Sequence, residues 1–115
     1  MYHFDHPQIL EDQFTGWQSP NMVDKFAEYS KFVFEEFGDK VDFFVTINEP
    51  NMYCTYFNMQ SVAAGFHTLA ELDAYQCLHY NILGHKAAYK IYQEGRARGK
   101  YKGRVQLKCF GDTYP

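Results

Sequence analysis

The segment Val41-Asp42-Phe43-Phe44-Val45-Thr46-Ile47 constrains the fold most tightly, because an apolar run of strand length stops abruptly on Asn48-Glu49-Pro50. Phe43, Phe44, Val45 and Ile47, with few polar interruptions, predict a fully buried strand of the kind found in parallel sheets covered on both faces. Pro50 has no N–H to give to a ladder and forces the chain out of the sheet. Polar residues at the carboxyl ends of parallel strands face the clefts where such sheets place their sites. Glu49 is therefore a candidate general acid/base and Asn48 a candidate substrate donor. The competing reading is that the pair caps the next segment, since short polar side chains often satisfy free backbone groups at turns.

Two helices flank this strand in the sequence. Ser19-Pro20 is a helix start, with serine at the cap and proline at the first helical position. Val23, Phe26, Ala27, Ser30, Val33, Phe34 and Phe37 then recur at helical spacing, and Gly38 supplies a stop. Thr68-Leu69-Ala70-Glu71 has the pattern of a capping box, from which a long helix is expected to run towards Gly95. Its predicted inward stripe is Ala74, Cys77, Leu78, Asn81, Ile82, His85, Tyr89 and Tyr92. Beyond a basic, glycine-punctuated turn, Arg104-Val105-Gln106-Leu107-Lys108-Cys109-Phe110 alternates partly in polarity and predicts a further strand. The βαβαβ order implies a parallel sheet, either doubly wound or closed into a barrel. A glycine-rich phosphate fingerprint is missing, so a dinucleotide-binding version has no support.

A second signature, Tyr2-His3-Phe4-Asp5-His6-Pro7-Gln8, lies roughly one β/α unit before the first. Together with Thr46-Ile47-Asn48-Glu49-Pro50 it resembles glycoside hydrolase family 1, whose members carry Tyr-His-Trp-Asp-Leu-Pro-Gln after the third barrel strand and Thr-Phe-Asn-Glu-Pro after the fourth. Gly16-Trp17 and Phe37-Gly38-Asp39-Lys40-Val41 match the family's Gly-Gly-Trp and Phe-Gly-Asp-Arg-Val in the same order and at similar spacing. The resemblance spans nearly the whole chain. It implies an α/β fold, a fragment of a (β/α)8 barrel comprising about strands 3 to 5 with their crossover helices. Residues 1–115 would then be a partial catalytic domain, in keeping with a length well below the ~250 residues of a closed barrel.

The resemblance also implies a chemistry: retaining hydrolysis of a β-glycosidic bond by two carboxyl groups about 5–5.5 Å apart. Glu49 matches the family's acid/base. Asn48 matches the residue that hydrogen-bonds the sugar 2-hydroxyl, and His3 the histidine on the 3-hydroxyl. Phe4 stands where a tryptophan lines the same subsite, keeping an aromatic wall and losing the indole N–H. The family's nucleophile belongs to a Thr-Glu-Asn-Gly stretch that this sequence does not contain. The expected partner is a β-glycoside or oligosaccharide, with no cofactor and no metal. Two further departures are His6 in place of leucine and Thr15 in place of the first glycine of Gly-Gly-Trp.

A net charge of −3, with the basic residues gathered mainly at Arg96, Arg98, Lys100, Lys102 and Arg104, gives a solvated helix end. It does not give the basic face that nucleic-acid binding would need. Cys54, Cys77 and Cys109 are odd in number and lack ligand spacing, so the expectation is buried free thiols. His6, His67, His79 and His85 are expected to be packing or surface residues. No apolar run is long enough to span a bilayer, and Met1-Tyr2-His3 is not a signal-peptide start. Localisation stays open, although the family makes extracellular or digestive secretion plausible. The main alternative to an enzyme segment is a non-catalytic remnant or carbohydrate-binding fragment that lacks the nucleophile. A small doubly wound protein using Glu49 for other chemistry is the third reading.

Overall fold

The computed structural model describes residues 1–111. In chain order it contains α1 (Gln8–Phe14), a 3-10 turn (Gly16–Gln18), α2 (Asn21–Phe37), β1 (Phe43–Asn48) and α3 (Pro50–Met52). A π-helical turn (Tyr53–Phe57), α4 (Asn58–Ala63), α5 (Ala74–Ala97) and β2 (Arg104–Lys108) follow. β1 and β2 pair in parallel, with Phe44 opposite Val105 and Asn48 opposite Lys108. On the other side of β1, Tyr2 forms a parallel bridge with Ile47. There Tyr2 N donates to Thr46 O at 2.8 Å, and Asn48 N donates to Tyr2 O at 3.0 Å. Parallel neighbours need long crossovers, and α2 and α5 provide them. The βαβαβ order expected from the sequence is therefore present, with its first strand reduced to one bridged residue.

Burial of β1 differs from the expectation. Phe44 and Thr46 are buried, whereas Phe43 is 41% exposed. Successive strand side chains point to opposite faces, so Phe44 meets Phe34 and Tyr92 at ring distances of 5.2 and 6.0 Å. Phe43 points away from that helical layer, where the Arg104 guanidinium lies over its ring at 5.6 Å.

The start of α2 follows its sequence signal closely. Asn21 N donates to Ser19 Oγ at 3.1 Å, so the serine caps a helix that begins one residue past Pro20. Met22, Phe26, Ser30 and Phe34 form the buried stripe, while Phe37, expected inside, is 48% exposed. Gly38 ends the helix with an ordinary right-handed φ of −61°. Space, not backbone freedom, explains this glycine: a Cβ there would lie 2.4 Å from the Tyr101 ring.

Helix α5 starts later than its capping-box pattern predicts. Thr68 N and Oγ1 both donate to Glu71 Oε2, at 2.6 and 3.1 Å, but they close only an isolated turn. The working cap is Asp73, whose Oδ1 accepts from Gln76 N at 3.0 Å. The buried stripe is Cys77, Asn81, Gly84, Ala88, Tyr92 and Gly95, while Ile82 and Tyr89, expected inward, are 57% and 45% exposed. Close approach selects small residues here. A Cβ on Gly84 would sit 2.9 Å from Trp17 Cη2, and one on Gly95 would sit 2.1 Å from Tyr101 Cε2.

Tyr101 is thus held between two glycines and stacks on Tyr92 at 5.0 Å with a 14° interplanar angle. Gly95→Ala is expected to lower stability by about 1–3 kcal/mol through overpacking, seen as an earlier denaturation midpoint. In a Tyr101→Ala background the added cost should vanish. An equal cost in both backgrounds would rule out the ring clash as the cause.

The cysteine expectation is overturned. Cys54 and Cys77 form a disulfide with an S–S distance of 2.04 Å, and Cys109 is exposed with a free thiol. An odd count leaves one cysteine over but does not forbid a pair among the rest. The bond joins the π-helical turn to the first turn of α5, and the Asn81 amide contacts both sulfurs. It thereby ties the segment that follows Glu49 to the crossover helix.

Candidate active site

The carboxyl ends of three parallel segments meet at His3, at Asn48-Glu49 and at Lys108. Glu49 N donates to Lys108 O at 2.6 Å, so the chain leaves β1 still paired to β2. Glu49 then takes a left-handed conformation, φ 44° and ψ 56°, and Pro50 opens α3. Non-glycine residues seldom hold that region without support from their surroundings, and such strain gathers at functional positions. Glu49 occupies the cap position of α3, yet its side chain makes no capping hydrogen bond. Its nearest cation is Lys108 Nζ, 4.0 Å from Oε1. With the lysine side chain 57% exposed, the attraction is a weak surface one.

Asn48 is buried at the end of β1, and its Nδ2 lies 3.2 Å from His3 Nε2. An amide nitrogen can only donate, so His3 Nε2 accepts and the imidazole proton resides on Nδ1. The strand bridge at Tyr2 brings these two residues together across 45 positions of sequence. Phe4 adjoins this group, its ring edge-on to that of His3 at 5.2 Å. It has a left-handed φ of 69°, and its ring stacks on Tyr53 at 5.6 Å and meets Phe57 at 4.7 Å. His3, Asn48 and Glu49 thus share the strand ends, while the Phe4 ring belongs to an aromatic cluster beside them.

His85 has a packing role, as expected. Its Nδ1 lies 2.7 Å from Thr46 Oγ1, and burial pushes the imidazole below its usual pKa. His79 is exposed on α5.

Sequence reasoning missed a cluster on Glu11. His6 Nε2 lies 2.5 Å from Glu11 Oε1, and His67 Nε2 lies 3.3 Å from Oε2. His6 Nδ1 meets the Tyr2 hydroxyl at 3.0 Å, and His67 Nδ1 meets Ser61 Oγ. The hydrogen bond from His6, opposed by burial, leaves the Glu11 carboxyl below its usual pKa, with His6 and His67 both adding attraction. Glu11, Ser61 and His67 line a cavity of about 650 Å³ together with Phe4, Trp17 and Phe57. The one signal in the sequence was His6 itself, a polar residue where the resembled family has leucine.

A family model described as "Glycosyl hydrolase family 1" matches residues 1–112. Among curated proteins, the chain is 36% identical to a cyanidin 3-O-glucoside 7-O-glucosyltransferase (acyl-glucose) of Delphinium grandiflorum, covering 96% of this chain and 24% of that protein. It is 39% identical to a cytosolic β-glucosidase of Cavia porcellus, covering 96% of this chain and 23% of the relative. Among solved structures, the rice β-glucosidase Os3BGlu6 superposes with a TM-score of 0.76 at 31% identity, covering 93% of this chain and 24% of that one. The chain therefore spans about a quarter of the length of the relatives it matches. A segment of their barrel fits its fold.

Proposed function

The chain belongs to glycosyl hydrolase family 1, and on that premise we propose that the complete protein is a retaining β-glycosidase to which this segment supplies the general acid/base, Glu49. Residues 1–115 form part of its catalytic domain, covering about strands 3 to 5 of the barrel. The observation that carries this reading is the carboxyl of Glu49, at a parallel-strand end and uncommitted to capping, beside the paired side chains of Asn48 and His3.

In the first half-reaction Glu49 gives its proton to the departing glycosidic oxygen while a second carboxylate attacks the anomeric carbon. In the second, Glu49 takes a proton from the water that releases the sugar. Asn48 holds the 2-hydroxyl, His3 holds the 3-hydroxyl, and Phe4 walls the sugar site. The attacking carboxylate belongs to the rest of the barrel, so this chain alone is expected to be inactive. The Delphinium relative favours one variant, in which an acceptor hydroxyl replaces water in the second half-reaction.

The test is hydrolysis of an aryl β-glucoside by the complete protein and by Asn48→Ala. A contact to the 2-hydroxyl that strengthens in the transition state is worth several kcal/mol, so kcat/KM should fall at least about 100-fold. On the matching 2-deoxyglycoside, Asn48→Ala should cost almost nothing further. Equal losses on both substrates would remove Asn48 from the 2-hydroxyl, and a complete protein without glycoside cleavage or transfer would overturn the proposal.

A further inference from the structure

The Glu11 cluster has a proton arrangement that follows from elementary donor and acceptor rules. An ionised carboxylate only accepts, so both imidazoles present N–H to it from Nε2. In the neutral form of each ring, Nδ1 is then the acceptor. Burial raises the Tyr2 phenol, which stays protonated and donates to His6 Nδ1. By the same logic the Ser61 hydroxyl donates to His67 Nδ1. Ser61 is thus a hydroxyl aimed at an imidazole nitrogen whose ring partner is held by a carboxylate, the relation that activates serine nucleophiles on unrelated folds.

The three groups come from three different segments, and the backbone holds two of them together. Ser61 is on α4, where Gly65 N donates to Val62 O and Phe66 N to Ser61 O, each at 3.0 Å. This turn brings His67 back over the helix end. Glu11 reaches in from α1 across 56 positions of sequence. His6 is occupied by Tyr2, so it steadies the carboxylate and does not compete for Ser61. The three residues border a cavity of about 650 Å³ whose apolar lining includes Phe57, Phe66 and Leu72.

We propose that Ser61, His67 and Glu11 form a second, acyl-accepting site that cleaves small carboxylic esters carrying an apolar alkyl or aryl group. Ser61 Oγ bonds to the ester carbonyl carbon as its proton passes to His67 Nδ1. The carbon–alkoxy bond then breaks, and the departing alcohol takes that proton. Water attacks the acyl-serine, gives a proton to Nδ1, and frees the carboxylic acid as Oγ recovers its proton. Glu11 remains ionised throughout and keeps the imidazole oriented.

The experiment uses 4-nitrophenyl acetate with the complete protein, its Ser61→Ala and Glu11→Gln variants, and a fluorophosphonate as a covalent probe located by peptide mass. Ser61→Ala removes the attacking oxygen itself, and deleting a serine nucleophile that works as a unit with its base costs well over about 100-fold. Ser61→Ala should therefore lose at least about 100-fold in acetate release, with cleavage of an aryl β-glucoside unchanged. The probe should mark Ser61, and Glu11→Gln should slow that marking. Alanine suits a helical position, so the Ser61→Ala comparison does not depend on rescuing a damaged fold. Equal acetate release by wild type and Ser61→Ala, or a probe found elsewhere with Ser61 unmarked, would overturn the proposal.

Discussion

Replacing Glu49 by Gln in the complete protein is expected to cut kcat on an alkyl β-glucoside by about 10²–10⁴-fold, the range that a positioned proton donor and acceptor contributes. Glutamine matches the size of glutamate and retains a carbonyl acceptor, but it cannot transfer a proton at neutral pH. The size of the loss should follow the leaving group. A dinitrophenolate departs without protonation, so the first half-reaction should be nearly normal on a 2,4-dinitrophenyl glycoside, and the glycosyl-enzyme should accumulate while the second half-reaction lacks its base. An added small anion such as azide needs no base to attack that intermediate. It should restore turnover and yield the β-glycosyl azide. A loss that is the same for all leaving groups and is not relieved by azide would show that Glu49 shapes the site without moving protons.

The largest stability effect is expected at Trp17. Its side chain is 1% exposed, lies 5.6 Å from both the Phe26 and Tyr2 rings, and fills the space left by Gly84 on α5. Truncating a buried tryptophan removes a large apolar surface and leaves a cavity, at a cost of about 3–5 kcal/mol. Single domains are typically stable by only about 5–15 kcal/mol, so Trp17→Ala should consume a large share of the total. Denaturant titration of the complete protein should show it as a lowered midpoint. Gly84→Ala should also destabilise, because its new Cβ would meet the indole at 2.9 Å. Combined with Trp17→Ala, that methyl occupies vacated space, and the double variant should be more stable than the sum of the two losses predicts. Strict additivity would mean that Trp17 and Gly84 do not share one packing contact.

Thr15 and Phe4 show how the chain reaches its strand ends at some local expense. Both are non-glycine residues with positive φ, 59° and 69°, and with Glu49 they are all of that kind among the described residues. Glu49 directly follows the last residue of β1, and Phe4 lies two residues past the bridged Tyr2, where the chain leaves the sheet. Such conformations persist only where surrounding contacts over-determine them. The Phe4 ring is held by Tyr53 and Phe57, and the Glu49 backbone by its bond to Lys108.

What could be read from the sequence was local. The apolar run ending on Asn48-Glu49-Pro50, the Ser19-Pro20 helix start, and the alternation from Arg104 to Phe110, whose strand itself ends at Lys108, each encode their outcome within a few residues, because strand period, helix period and capping act over one or two turns. The ordered family motifs likewise needed only the letters. Other outcomes depended on partners brought in from far along the chain: which face of β1 was covered, which side of α5 turned inward, and which cysteines met. Gly84 and Gly95 read as weak helix formers, yet they line the buried stripe because Trp17 and Tyr101 press against them. Cys54 and Cys77 stand 23 residues apart, and Glu11 and His67 stand 56 apart. Their meeting was decided by how the crossover helices lay on the sheet, since contact between distant residues depends on packed shapes that no short window of sequence contains.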